Sequence, residues 1–398
     1  MVDSAFIIRN LTLLTGAVPV YAEYGVGFGI VEVSHLGFQQ DAHFMSAFRS
    51  LRFWLATGLL AALPLASSVE AQLSETATEK ESKPMKWSIA IHGGAGADPS
   101  RWSEEQIKVR MDGLTAALQI GVDQLNENGQ AMDVVELVIR SLEDNPVFNA
   151  GRGAVLNEDA EQSLDASIMD GRDLQSGAVA GVQQIKNPIS AARRVISDSP
   201  HVLLSGNGAD AFAKLLGLEL ETSEYFVTEP QMKKWEKWKA RQDSVDKTTF
   251  SLPTGTDDPL FYLGTVGCVV LDASGNLAAG TSTGGMLGKR FGRIGDSPII
   301  GAGTYASNKS CAVSCTGVGE LFIRNSIAVS LGHRMEMAKE SLESAANGLI
   351  DEVLPVDSGG LIAVDHLGNI ALPFNTPGMA RGQATSEGLF SVEIGRTN

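Results

Sequence analysis

Residues 263–285 read LGTVGCVVLDASGNLAAGTSTGG, and this stretch sets the fold class. Val266 to Leu271 is a short, unbroken apolar run rich in valine, the composition of a buried strand. Asp272-Ala273-Ser274-Gly275-Asn276 then supplies Asp, Gly and Asn to turn the chain, and a second apolar run leads to Thr283. Strand, turn and strand make a hairpin. The chain repeats the arrangement once, weakly: Asp365-His366-Leu367-Gly368-Asn369 also lies between apolar runs and leads to Thr376. Two such hairpins predict a sheet-rich core.

Strands and helices alternate upstream. Ser88 to Ile91 is a short apolar strand that runs into His92-Gly93-Gly94-Ala95-Gly96, where glycines let the backbone approach a neighbour closely. Ser103 with Gln106 three residues on is a capping box, and helical spacing continues to about Leu125. A second helix is expected from Met132 to Leu142. Asn187-Pro188 opens a third with a cap and a proline at its first position, and Gly217 closes the next. From Thr228 to Leu263 charge crowds in. The first half of that stretch, with Lys233, Lys234, Glu236 and Lys237, reads as a charged helix. The second half, with Pro253, Gly255 and Pro259, reads as a linker. The expected class is α+β, with two sheets face to face and helices on both outer sides, a four-layer αββα sandwich.

The front of the chain reads as an address. From Met45 a basic region (Arg49, Arg52) precedes an apolar run from Phe53 to Ala66 and the small-residue ending Val69-Glu70-Ala71. The run falls short of the ~20 residues of a membrane span, so residues 45–71 are expected to be a cleaved signal, with an uncleaved anchor as the alternative. Residues 1–44 then read as an upstream extension that is not native, and residues 72–84 as a short disordered lead. The mature protein is expected in the periplasm or outside the cell, with no membrane association after signal removal.

Of 398 residues 43% are hydrophobic, enough for a sizeable core, and a formal charge of -16 removes the basic face that a nucleic-acid partner requires. Cys268, Cys311 and Cys315 sit in apolar surroundings without C-x-x-C spacing, so core thiols are expected. Cys311 and Cys315 fall in one predicted strand, about 13 Å apart, too far to bridge. The six histidines form no H-x-x-x-H or H-x-H pair, which argues against a metal hydrolase.

Thr265 stands where the linker meets the first hairpin strand. Alone, a β-branched residue opening a strand is ordinary. It gains weight from its neighbours: Thr281-Ser282-Thr283-Gly284-Gly285, Arg293-Ile294-Gly295-Asp296-Ser297, Ser314-Cys315-Thr316-Gly317-Val318-Gly319-Glu320, Asn149-Ala150-Gly151-Arg152-Gly153, Asp165-Ala166-Ser167-Ile168-Met169-Asp170-Gly171 and Pro373-Phe374-Asn375-Thr376. Together these resemble the isoaspartyl peptidase/L-asparaginase family, the plant-type asparaginases among the threonine N-terminal nucleophile hydrolases, over essentially Lys86 to Gly382.

The resemblance implies the αββα fold of those hydrolases and self-cleavage between Gly264 and Thr265. An α subunit (72–264) and a β subunit (265–398) would then share one domain. Thr265 would be the nucleophile and its freed α-amine the base, since an α-amino pKa of about 7.7–8.0 suits proton uptake near neutrality. Thr316 and the Gly317 N–H would hold the oxyanion. Thr283 would bond the nucleophile, and Asn149 would position the amine. Arg293 and Asp296 would receive the substrate α-carboxylate and α-ammonium, helped by the Gly319 carbonyl. The plainer alternative is that Arg293 and Asp296 pair with each other at the surface.

Leu142 to Arg152 resembles the family's sodium loop, with backbone carbonyls of Leu142, Glu143, Asn145, Phe148, Ala150 and Arg152 around the ion. No cofactor is implied for catalysis. The implied substrates are β-aspartyl dipeptides and L-asparagine, and the implied assembly is an αβ heterodimer pairing into (αβ)2. Relatives acting on glycosylated asparagine carry Asp before the threonine, where this chain has Gly264. A glycosylasparaginase-like amidase and a non-catalytic periplasmic amino-acid-binding protein are the competing readings.

Overall fold

In chain order the elements are β1 (Ser88–Ala95), α1 (Glu104–Asn126), α2 (Ala131–Asp144), β2 (Leu164–Asp170), β3 (Ser176–Val182), α3 (Pro188–Asp198), β4 (Leu203–Ser205), α4 (Gly206–Leu215), α5 (Ser223–Phe226), α6 (Glu229–Gln242), β5 (Val266–Leu271), β6 (Leu277–Thr283), β7 (Thr304–Ala306), β8 (Cys311–Gly317), α7 (Gly319–Asn325), α8 (Ile327–Ala338), α9 (Leu342–Gly348), β9 (Gly359–Asp365), β10 (Ile370–Ala371), β11 (Gly378–Thr385) and β12 (Phe390–Gly395). The computed structural model describes residues 86–96, 98–242 and 264–395. The expected signal, the extension before it and the linker half of the charged stretch lie outside the described residues.

The strands form an eight-stranded sheet, ordered β12-β11-β1-β5-β6-β2-β3-β4, and a four-stranded sheet, ordered β10-β9-β8-β7. Pairing is antiparallel throughout except between β3 and β4. The sheets pack on each other through β1, β5 and β6 of the larger against β8 and β9 of the smaller. Helices α1, α2 and α3 pack on the large sheet, and α8 and α9 on the small one.

Pleating explains this packing. Along β5, Val266, Cys268 and Val270 join the cluster under α1 and α2, while Val269 and Leu271 join the cluster shared with the small sheet. In β1, Ile89 and Ile91 go to the helices and Ala90 to the other sheet. Both faces of the central strands are therefore apolar, which is why they read as runs rather than as alternation. The three cysteines are free and buried in these clusters, as their surroundings predict.

Local sequence signals locate most of the elements. The Ser103 capping box forms with both bonds: Gln106 N donates to Ser103 Oγ at 3.2 Å, and Ser103 N to Gln106 Oε1 at 3.0 Å. The charged stretch supplies α6. The cap expected of Asn187 is not made. Its Nδ2 instead donates to Asp144 Oδ1 at 3.0 Å, and the N–H of Ile189 finds Glu143 Oε1 at 3.1 Å, so a carboxyl from α2 does the capping across a helix contact. The second hairpin is also shorter than expected, because β10 has only two residues.

The two hairpin turns share one device. Asp272 Oδ1 accepts the N–H groups of Ser274 and Asn276, both at 2.9 Å, and Asp365 Oδ1 accepts those of Leu367 and Asn369, also at 2.9 Å. The second oxygens differ: Asp272 Oδ2 accepts from Ala131 N, the first residue of α2, at 3.0 Å, whereas Asp365 Oδ2 accepts from the side chain of Asn369 within its own turn at 2.8 Å. Asp272→Ala therefore orphans a buried helix-start donor as well as the turn donors. Urea unfolding is expected to show a loss of about 3 kcal/mol for Asp272→Ala against about 1 kcal/mol for Asp365→Ala. Equal losses would mean the bond to α2 contributes nothing.

Candidate active site

Thr265 is the residue before β5, at the middle of the large sheet, and it opens into a small cavity with Asn149, Thr283, Arg293, Asp296 and Gly317 on its walls. The pairing of β5 with β6 places Val266 opposite Ser282, so Thr265 and Thr283 face each other just beyond the last registered pair. The Thr265 hydroxyl donates to Thr283 Oγ1 at 3.1 Å, and Gly285 N donates to the same oxygen at 2.9 Å. One lone pair of Thr283 is thus fixed by backbone, which aims the other at Thr265. Asn149 braces the loop after β6: its Nδ2 donates to the Gly285 carbonyl at 2.8 Å, and its Oδ1 accepts from Val155 N at 2.8 Å.

Gly264 packs backbone to backbone on Gly94. A Cβ built on Gly264 would stand 2.2 Å from Gly94 Cα, and one on Gly94 would stand 2.4 Å from Gly264 Cα. No side chain fits at either position. The glycine run after the first strand, read as a place of close approach, makes that approach to the residue preceding Thr265.

Arg293 and Asp296 are both largely buried, and they do not pair with each other. The Arg293 guanidinium forms a two-pronged bond with Glu320, Nε to Oε1 and Nη2 to Oε2, each at 2.9 Å. Burial opposes its charge, but the Glu320 carboxylate keeps its pKa above the usual guanidinium range. Asp296 Oδ2 has no hydrogen-bond partner, and burial pushes its carboxyl up to about 7 against the pull of Arg293. Gly319 makes room for both groups, since a Cβ there would lie 2.9 Å from Asp296 Oδ1 and 3.0 Å from Arg293 Nη2. Thr316 is fully buried behind the cavity wall, and its Oγ1 accepts from Ala95 N at 3.1 Å.

Two participants escape a reading by sequence. His92 is one: Nδ1 lies 2.9 Å from the Thr265 carbonyl oxygen and Nε2 lies 2.9 Å from Ser314 Oγ. Burial lowers its pKa to about 3, so the ring is neutral. The scatter of histidines along the chain conceals this contact, which only sheet pairing creates. Glu320 is the other. It directly follows Gly319, but its partner Arg293 lies 27 residues away, so no local spacing suggests the pair.

Chemically, the arrangement offers a hydroxyl, a cation and a carboxyl for an amino-acid-like ligand, and a backbone N–H at Gly317. The asparaginase family model matches residues 85–394. The chain is 47% identical to an isoaspartyl peptidase of Escherichia coli strain K12, over 74% of this chain and 91% of that protein. It is 44% identical to a probable isoaspartyl peptidase/L-asparaginase 2 of Arabidopsis thaliana, over 77% and 98%. It is 41% identical to a plant-type L-asparaginase of Thermococcus kodakarensis, over 73% and 94%.

The buried carboxyl sets a pH dependence of stability. Folded Asp296 keeps its proton up to about pH 7, whereas an ordinary carboxyl releases it near 3.8. Its contribution to stability is complete below 3.8 and is lost as pH rises through about 7. Asp296→Asn removes that loss. Calorimetry of the unliganded protein is expected to show the variant gaining more in Tm over wild type near pH 8 than near pH 5. Some slope persists, because burial also raises Glu143, to about 8. A Tm difference independent of pH would refute the assignment.

Proposed function

The chain belongs to the asparaginase family, and on that premise we propose that it cuts itself between Gly264 and Thr265 and then hydrolyses β-aspartyl dipeptides and L-asparagine through Thr265. The observation that carries the reading is the Thr265 hydroxyl, held by Thr283 in the wall of a cavity that presents Arg293 and Asp296.

In the first reaction Thr265 Oγ1 attacks the Gly264 carbonyl carbon, the peptide nitrogen leaves as the α-amine, and water opens the resulting ester. The new amine then takes the hydroxyl proton when Oγ1 attacks the side-chain amide of substrate. That proton passes to the departing ammonia or amino acid. Water releases aspartate from the acyl ester by the same route in reverse. The Gly317 N–H and the Thr316 hydroxyl, whose lone pair already takes Ala95 N–H and whose hydrogen remains to donate, serve the oxyanion. Arg293 turns from Glu320 to the substrate carboxylate, and ionised Asp296 takes the ammonium. Gly264 speaks against the glycosylasparaginase-like alternative, because an aspartate side chain there would meet Gly94.

The sheets and helices described above support a four-layer αββα sandwich. The subunits are residues 72–264 and 265–398 of one domain, and two αβ units pair. The 45–71 segment supports export to the periplasm or beyond. No helix among the described residues is long and apolar enough to cross a membrane. Sodium suits the loop from Leu142 to Arg152: the carbonyl oxygens of Pro146 and Phe148 crowd Gly153, where a Cβ would lie 2.7 and 2.0 Å from them, and the Glu143 carbonyl crowds Gly151 at 2.5 Å. Leu142, Asn145 and Ala150 carbonyls each accept one N–H and keep a second lone pair. The ion would stiffen the loop that carries Asn149, and titrating sodium into a choline buffer would raise Tm by mass action.

Denaturing gels with N-terminal sequencing test the proposal. Wild type is expected as two fragments, the smaller beginning at Thr265, and Thr265→Ala as one. An uncut wild-type chain would return the binding-protein reading to the front. In the cut enzyme, Arg293→Lys loses two-pronged recognition of a carboxylate, and kcat/KM on a β-aspartyl dipeptide is expected to fall about 100-fold.

A further inference from the structure

The layer between the two sheets is apolar along most of its length and polar at the site end. On four neighbouring strands of the large sheet, register places His92 beside Gly267, Gly267 beside Thr281, and Thr281 beside Ser167. All four positions share the face of Ala90, Val269, Ala279 and Met169, which looks toward the small sheet. There Thr304 and Ser314 are themselves a registered pair. Gly267 is the gap in the row: a Cβ at that position would lie 2.0 Å from Ser314 Oγ and 2.3 Å from His92 Nε2. Ser314 enters this gap and joins the sheets.

The resulting chain of hydrogen bonds runs His92 Nε2 to Ser314 Oγ (2.9 Å), to Thr281 Oγ1 (2.6 Å), to Thr304 Oγ1 (2.6 Å), to Ser167 Oγ (2.8 Å), which also lies 2.6 Å from the Ser297 carbonyl. Its direction follows from counting protons. The Thr265 carbonyl can only accept, so a neutral His92 carries its hydrogen on Nδ1. Nε2 is then bare, and Ser314 must donate to it. With that proton committed, Thr281 donates to Ser314 and Thr304 donates to Thr281. Every hydroxyl from Thr304 onward points toward His92, and the ring has one tautomer. Ser167 has one proton for its two contacts, and the shorter of them, to the Ser297 carbonyl, takes it, so Thr304 is the far end of the ordered chain.

We propose that His92 is a positioning residue for catalysis, holding the Thr265 carbonyl through this one-directional chain so that the hydroxyl and the α-amine keep their orientation once Gly264 no longer restrains them. The inference rests on Thr265 being the nucleophile. Cleavage removes the peptide link on the N-terminal side of Thr265. The bond from His92 to its carbonyl then restrains the Cα–C unit from the other side, together with the sheet pairing of Val266. Loss of that restraint lets the reacting atoms drift, and a shift of about 1 Å can cost about 100-fold in rate.

Two variants separate positioning from proton transfer and from packing. Asn places an amide nitrogen on Cγ where Nδ1 stood and keeps the donor without a titrating ring, whereas Leu fills the space without a donor. In purified, self-cleaved enzyme, His92→Asn is expected to keep kcat within about threefold, and His92→Leu to lose about 100-fold in kcat with KM within about twofold. Equal loss in both variants would overturn the proposal, and so would full activity in His92→Leu. Should a variant fail to fold, nitrogen-15 NMR of histidine-labelled wild type still decides: a neutral ring protonated at Nδ1 at neutral pH is expected, and a proton on Nε2 or on both nitrogens would contradict it. An error about the nucleophile itself would appear separately, as wild type that lacks a fragment starting at Thr265.

Discussion

Strand β5 lies between β1 and β6 at the centre of the large sheet, hydrogen-bonded on both edges, and Thr265 is the residue that enters it. Most of the site follows from that pairing. Register with β6 brings Thr283 to the Thr265 hydroxyl, and register with β1 brings His92 to its carbonyl. The bulge in β1 after His92 swings Gly94 against Gly264. A one-residue slip of β5 would reverse which side chains face the helices and which face the small sheet, so the apolar faces of Val266, Cys268 and Val270 police the position of the threonine beside them.

The site is held at a cost to the fold. Asp296 Oδ2, Asp165 Oδ2 and Glu143 Oε2 are buried without hydrogen-bond partners, and burial raises the pKa of all three carboxyls. Lys289 offsets part of this for Asp165, its Nζ standing 3.8 Å away while donating to the Ser163 carbonyl at 2.6 Å. Asp296 has Arg293 nearby, but Arg293 is engaged by Glu320. An ammonium ligand would complete Asp296, and a carboxylate ligand would compete with Glu320 for Arg293. The protein's own groups therefore leave Asp296 without a partner, and the proposed substrate would supply one.

Much of the architecture was legible in the sequence because it rests on local signals. The Val266–Leu271 run, the two Asp-to-Asn turns and the Ser103 capping box each act within a few residues, and each forms. Asn187 shows the limit: its sequence favours a cap, but Asp144 claims the side chain and Glu143 takes over the capping from a neighbouring helix. Of the residues that the motifs single out, Thr265, Thr283, Asn149, Arg293, Asp296 and Gly317 line one cavity. Contacts made only by pairing distant strands were not legible. His92 and Thr265 are 173 residues apart, and nothing local to either announces the other. The expected alternative of an Arg293–Asp296 ion pair failed for the same reason, because the better-placed partner comes from α7.

The central claim is that Thr265 carries the acyl group of substrate. The most direct measurement is acid quenching during steady turnover of a β-aspartyl dipeptide, followed by mass analysis of the small fragment and its peptides. An aspartyl adduct is expected on the peptide that begins with Thr265, decaying as substrate runs out. An adduct on any other residue, or turnover with the fragment unmodified at every quench time, would contradict it.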